Sequence, residues 1–124
     1  MTIVDSSGWL EYFADGRNAG LFAKGIEKTD QLVVPSITIA EVFKRIFQQR
    51  GEQPALQAAA HMNQGRVIDL DANLAMHAAK LGYQLKLPLA DSIILATAIQ
   101  CGATLWTQDE DFKSIKSVRY IPKR

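Results

Sequence analysis

Short apolar runs alternate along this chain with longer segments in which apolar residues recur every three or four positions. That alternation restricts the fold more than any other feature. The short runs predict strands over 2–5, 32–34, 67–68, 104–106 and 117–121, the last at a sheet edge. The longer segments predict helices over 6–14, 17–28, 36–50, 53–63, 71–85 and 88–100. Punctuation supports these bounds: Ser36 is placed to cap a helix that stops at Gly51, Pro54 falls in a first turn, Pro88 opens the last helix and Gly102 ends it. Compact buried strands interleaved with helices imply a parallel sheet covered on both faces, an α/β fold. Ligands in such folds bind beyond the carboxyl ends of the strands, near the point where strand order reverses. The residues just after each strand therefore carry the functional information.

With 124 residues, halving the chain would leave each part too small to bury its apolar surface, so one domain over 1–124 is expected. No apolar run approaches the roughly 20 residues of a membrane helix. The opening Met1–Asp5 has no basic segment and meets an acid at once, unlike a secretory leader, so the expected location is the cytoplasm with no membrane partner. A lone cysteine, Cys101, excludes an internal disulfide and a Cys-rich metal site, and its apolar surroundings suggest a small buried hydrophobe. The net charge of +1 means that nucleic-acid contact would depend on local patches or bound metal rather than on overall basicity.

Acids recur where a ligand would sit. Asp5 ends the first strand, Asp109 lies just past the 104–106 strand with Asp111 close behind, and Glu41 and Asp91 fall on helices. Asp91 is the most telling, because its helix neighbours at i+3, i+4 and i+7 are Ile94, Leu95 and Ala98. A carboxylate heading an apolar face is costly unless it finds a partner or shifts its pKa, and a cation is one such partner. Local roles also exist for the others: Asp5 suits a helix cap, Asp109 suits a cap for 110–115, and Glu41 can pair with Arg45. As a set beside one sheet edge, however, these acids repel one another. Mg²⁺ and Mn²⁺ take oxygen ligands, and carboxylate-held cations suit phosphodiester cleavage, one activating water and a second roughly 3.5–4 Å away stabilising the leaving oxygen.

Other chemistries find less support. His61 and His77 lie on different predicted helices without zinc-hydrolase spacing and read as partly exposed. There is no glycine-rich phosphate loop and no nucleophile elbow. Asp5 is followed by Ser6-Ser7 rather than by the second acid of an aspartyl-phosphate enzyme, and the acidic pair and late lysine of a receiver domain are not evident.

Four pieces, Ile3-Val4-Asp5-Ser6-Ser7, Ile39-Ala40-Glu41-Val42, Leu89 to Ala98 around Asp91, and Thr107-Gln108-Asp109-Glu110-Asp111-Phe112, occur in the order and spacing of a known family. Over essentially its full length the chain resembles the VapC-type toxins of the PIN-domain ribonucleases. The resemblance implies a three-layer α/β/α sandwich with a parallel sheet of about five strands. It implies that Asp5, Glu41, Asp91 and Asp109 form the catalytic, metal-holding site for Mg²⁺ or Mn²⁺, with Ser7, Thr107 and Asp111 auxiliary and Phe112 packing the loop. It further implies a VapB-like antitoxin inserting near the acidic groove, homodimerisation, and structured RNA such as tRNA or rRNA as substrate, leaving 5′-phosphate and 3′-hydroxyl ends. Lys44, Arg45 and Lys86 are candidates to hold RNA phosphates, and Trp9, Tyr12, Phe13, Phe43, Ile46 and Phe47 supply apolar surface for a partner or for the core. Two rival functions are a catalytically silent PIN scaffold that binds RNA or an antitoxin, and a DNA-directed nuclease.

Overall fold

A computed structural model describes residues 1–124. In chain order the elements are β1 (Thr2–Val4), α1 (Ser6–Phe13), α2 (Ala19–Ile26), β2 (Leu32–Pro35), α3 (Ser36–Arg50), α4 (Glu52–Met62), β3 (Arg66–Ile68), α5 (Ala72–Leu85), α6 (Leu89–Cys101), β4 (Thr104–Thr107), a 3₁₀ turn (Glu110–Phe112) and β5 (Val118–Tyr120). The five strands form one sheet in the order β3-β2-β1-β4-β5, every pair parallel. The chain enters at the central strand, builds outward through β2 and β3, then returns to the other side of β1 for β4 and β5. Strand order therefore reverses between β1 and β4, and Asp5 and Asp109 follow those two strands.

Side-chain alternation divides the core into two layers. Val4, Leu32 and Val34 face α1 to α4, packing with Trp9, Phe22, Ile26, Val42 and Met62. Ile3, Val33 and Leu105 point the other way, onto Ile94, Leu95, Ala98 and Phe112. The result is the expected three-layer sandwich. Helix α6 has no exposed stripe through its middle, since Ser92 to Ala98 are all buried between the sheet and α5. Such burial explains why Ile93 to Ala98 are apolar on every side apart from Thr97, whose hydroxyl donates to the Ile93 carbonyl, and why the one charged residue of the helix, Asp91, lies in the first turn.

Several bounds differ from those predicted. Helix α2 is confined to Ala19–Ile26, because Asn18 turns its side chain to Gln108 and Pro122 rather than entering the helix. Ser36 is the first helical residue and makes no capping hydrogen bond; Pro35 precedes it in extended conformation. The strand predicted over 117–121 narrows to Val118–Tyr120 and is indeed an edge strand. Cys101 is half-buried rather than fully enclosed, since it occupies the last turn of α6 beside the left-handed Gly102 (φ 63°). His61 is half-buried against the edges of the Trp9, Tyr12 and Phe13 rings, and His77 is exposed.

Candidate metal centre

Asp5 leaves the end of β1 with only 2% of its surface exposed. Its Oδ1 accepts hydrogen bonds from Ser7 Oγ (2.8 Å) and the Gly8 amide (3.1 Å), and its Oδ2 accepts from Thr107 Oγ1 (2.6 Å). The Gly8 contact makes Asp5 the N-cap of α1, so the capping role and the site position coexist in one side chain. Thr107 is buried at the end of β4 and also accepts from the Asp109 amide at 2.9 Å. Asp109 in turn caps the 3₁₀ turn, accepting the Asp111 amide at 2.9 Å. Hydroxyls thus fasten the ends of β1 and β4 to each other across the switch point.

Asp91 reaches the same place from the first turn of α6. One oxygen from each of Asp91, Asp109 and Asp111 lies within 4.8 Å of the other two. Asp91 and Asp109 are half-buried and Asp111 is exposed, so the cluster opens to solvent. Asp5 and Glu41 stand outside this triplet. Glu41, on α3, accepts a 2.5 Å hydrogen bond from Ser6 Oγ. The electrostatics link all five acids. Burial first, and then the charges of Asp109, Asp5, Asp111 and Glu41 in falling order, together push the Asp91 carboxyl up to about 7. Asp5 is raised to about 6, the net of burial and, more weakly, Asp109 pushing it up against the hydrogen bonds from Thr107, Ser7 and Gly8 that hold it down. Placing like charges together in a half-buried cleft is unfavourable without a counter-ion.

These donors fit a hard divalent cation. They are all oxygens, three are close enough to share one ion, and solvent access leaves room for the waters that Mg²⁺ retains. Of the residues expected from the sequence, Asp91, Asp109 and Asp111 come closest together, Asp5 sits beneath them on the hydroxyls of Ser7 and Thr107, and Glu41 flanks them. Phe112 is fully buried against Ile3 and Leu105, packing the loop as expected. Lys44 and Arg45 lie beside Glu41 in a cleft of about 420 Å³ that also includes Ser6, Leu10 and Gln48. Lys86 is exposed at the left-handed end of α5. Among the apolar candidates, Trp9 and Ile46 are core, Tyr12, Phe13 and Phe43 are half-buried, and Phe47 is 50% exposed.

Sequence reasoning missed two supports. Ser6 holds Glu41, although adjacency to Asp5 is its only local signal. The buried Asn18 and Gln108 side chains are hydrogen-bonded at 3.0 Å, and the Gln108 amide donates to Ser7 Oγ at 3.3 Å. Nothing in the spacing of residues 18 and 108 announces that contact.

The PIN domain family model matches residues 2–118, and the chain belongs to that family, a family of nucleases. Solved structures agree with the assignment. A toxin–antitoxin complex from Klebsiella pneumoniae contains a chain 26% identical to this one, with a TM-score of 0.79 and 95% of each chain covered. VapC20 of Mycobacterium tuberculosis, a sarcin-ricin-loop-cleaving toxin, is 18% identical with a TM-score of 0.77, covering 98% of this chain and all (100%) of that one. VapBC2 of Rickettsia felis, solved on a promoter DNA fragment, is 18% identical with a TM-score of 0.74, covering 98% and 97%. At 18% identity the last two show the shared fold. No curated protein sequence matches the chain. No helix is long and apolar enough to cross a membrane.

Proposed function

We propose that this chain is a metal-dependent endoribonuclease that acts as the toxin of a type II toxin–antitoxin pair. The observation that carries the reading is the convergence of Asp91, Asp109 and Asp111 above the buried Asp5 at the strand-order switch. In this reading residues 1–124 work as one PIN domain. Asp91 and Asp109 are the principal holders of Mg²⁺ or Mn²⁺, with Asp5 and Glu41 completing the acidic set and Asp111 assisting. A bound divalent cation would supply Lewis-acid polarisation of the scissile phosphate and make water acidic enough to act as a nucleophile near neutral pH. The protein's own contribution is orientation. Thr107 and Ser7 fix the Asp5 carboxylate, the Asp109 amide is tied to Thr107, and Ser6 fixes Glu41.

The toxin assignment draws on the toxin–antitoxin context of the Klebsiella and Rickettsia structures. A cleft of about 260 Å³ between α1 and α3, lined by Leu10, Phe13, Arg45 and Ile46, is the proposed seat for an antitoxin segment that continues toward Glu41. The protein is read as cytoplasmic and homodimeric, with structured RNA such as tRNA or rRNA as substrate.

The test is cleavage of total bacterial RNA by the purified protein with Mg²⁺, with Mn²⁺ and with EDTA, beside Asp5→Asn and Asp91→Asn controls. Discrete fragments bearing 5′-phosphate ends, dependent on metal and lost in both variants, are expected. Recovery of 2′,3′-cyclic phosphate ends would overturn the mechanism. Tight RNA binding without cleavage by the metal-loaded protein would instead favour the silent scaffold.

A further inference from the structure

The net charge of +1 conceals a strong polarity. Residues 113–124 carry five of the 14 cations (Lys113, Lys116, Arg119, Lys123 and Arg124) and none of the 13 acids. Residues 1–112 therefore hold nine cations against 13 acids, a net charge of −4. The fold gives this basic segment a definite place. Lys116 precedes β5, Arg119 lies in it, and Lys123 and Arg124 follow it. Because β5 is the outermost strand and runs parallel to the others, its carboxyl end opens onto the same sheet edge as Asp5 and Asp109.

Two contacts hold the tail at that edge. The Ile121 amide donates to the Thr107 carbonyl at 2.7 Å, and the buried Asn18 Nδ2 donates to the Pro122 carbonyl at 3.0 Å. Ile121 itself is buried, so the chain is fixed against the carboxyl end of β4 as far as Pro122, and Lys123 and Arg124 follow directly. Arg119 is also restrained, its guanidinium 4.2 Å from the Trp106 ring centre. All five cationic side chains are exposed. An anionic backbone approaching Asp91, Asp109 and Asp111 meets repulsion from them and from the net negative remainder of the chain. The basic segment 113–124, with five cations and no acid, has the composition to offset that repulsion.

We infer that Lys116, Arg119, Lys123 and Arg124 along β5 form a phosphate-binding track that guides a single RNA strand to the acidic cluster. The inference rests on the nuclease reading for the identity of the polyanion, although its own test needs no cleavage. A fluorescein-labelled twenty-nucleotide oligouridylate is titrated with the protein in EDTA between about 50 and 200 mM salt. Removing one cation that neutralises a phosphate of a single strand flattens the log–log salt dependence by about 0.7. The variant Lys116→Gln/Arg119→Gln/Lys123→Gln/Arg124→Gln is expected to lose a slope of about 3, and the exposed double Lys123→Gln/Arg124→Gln about 1.4. The double variant keeps the test valid if replacing Arg119 disturbs Trp106. A matched control, Arg50→Gln/Arg66→Gln, removes one cation at the end of α3 and one on the opposite edge strand, and should leave the slope unchanged.

An unaltered slope in the double variant, or an equal loss in the control, overturns the track. Binding of polyglutamate but not oligouridylate also overturns it, assigning the strip to an acidic protein partner. Failure of the nuclease reading looks different: the strip still binds RNA in EDTA, yet no metal-dependent cleavage follows.

Discussion

Asp5 shows how one side chain serves the fold and the site together. It caps α1 through Gly8 while Thr107, 102 positions away in sequence, donates to its other oxygen. Removing that donor leaves a buried carboxylate oxygen short of a partner, a cost of about 1–3 kcal/mol. Thr107→Val is therefore expected to push the Asp5 pKa further up and to weaken Mn²⁺ binding at pH 7 by about tenfold, with Thr107→Ser restoring it. Calorimetric titration with Mn²⁺ reads this directly, and undiminished affinity in the valine variant would show that Thr107 does not tune the site. Asp91 makes the opposite prediction for stability. Its carboxylate is destabilised by burial and by four neighbouring acids, so Asp91→Asn should abolish cleavage yet stabilise the metal-free protein at pH 8. After discounting for its partial exposure, the gain is about 1 kcal/mol. A lower melting temperature for the variant in EDTA would contradict this account.

Among the elements, the approach of α1 to the sheet sets where Asp5 points. A Cβ added at Gly8 would fall 2.5 Å from Val4 Cγ1 and 2.7 Å from Phe22 Cε1, both in the packed core. Gly8→Ala must shift α1, and overpacking of this kind costs about 1–3 kcal/mol. Because the Gly8 amide also binds Asp5, the shift should reduce metal affinity along with stability. A methyl group added at Gly20, in α2, meets nothing within 4 Å, so Gly20→Ala should be neutral or stabilising by up to about 1 kcal/mol. Denaturant midpoints for the two variants test the contrast, and equal midpoints would mean that the Val4–Phe22 contact does not constrain α1. The first turn of α6 offers a milder form of the same compromise. The helix dipole favours Asp91 there, but the apolar body of the helix holds it in a half-buried place.

For the molecule as a whole, the raised carboxyls couple stability to pH and to metal. Asp5 and Asp91 titrate near 6 and 7 when folded, against an ordinary value of 3.8. Between these limits the folded protein binds more protons than the unfolded chain, so stability falls as pH rises. In EDTA the melting temperature should decline from pH 5 to pH 8, and the decline should be smaller in Asp91→Asn. A cation that binds only the folded state opposes this loss, contributing about 2.7 kcal/mol at a hundredfold excess over its Kd. Mn²⁺ should therefore raise the melting temperature more at pH 8 than at pH 5. An equal increase at both values would separate metal binding from these carboxyls.

Much of the site was legible because its signals are local. The i+3, i+4 and i+7 neighbours of Asp91 marked it as a carboxylate on an apolar face, and burial of Ile94, Leu95 and Ala98 bears that out. Asp5 and Asp109 were found because a short apolar run ends just before each of them. Alternation of strand and helix likewise implied a covered parallel sheet. Hydrophobic periodicity records which side of each segment is buried, and so it sufficed for the elements, their approximate bounds and the acids at their ends. The order β3-β2-β1-β4-β5 emerged only on folding, and with it the contacts of Ser6 with Glu41, Asn18 with Gln108 and Thr107 with Asp5, across separations of 35, 90 and 102 residues. Folding also brought Asp111 into the tightest acidic group and laid the basic segment along the open edge. Those outcomes depend on which strands become neighbours, and that choice is made by the packing of the whole core rather than by any local run of residues.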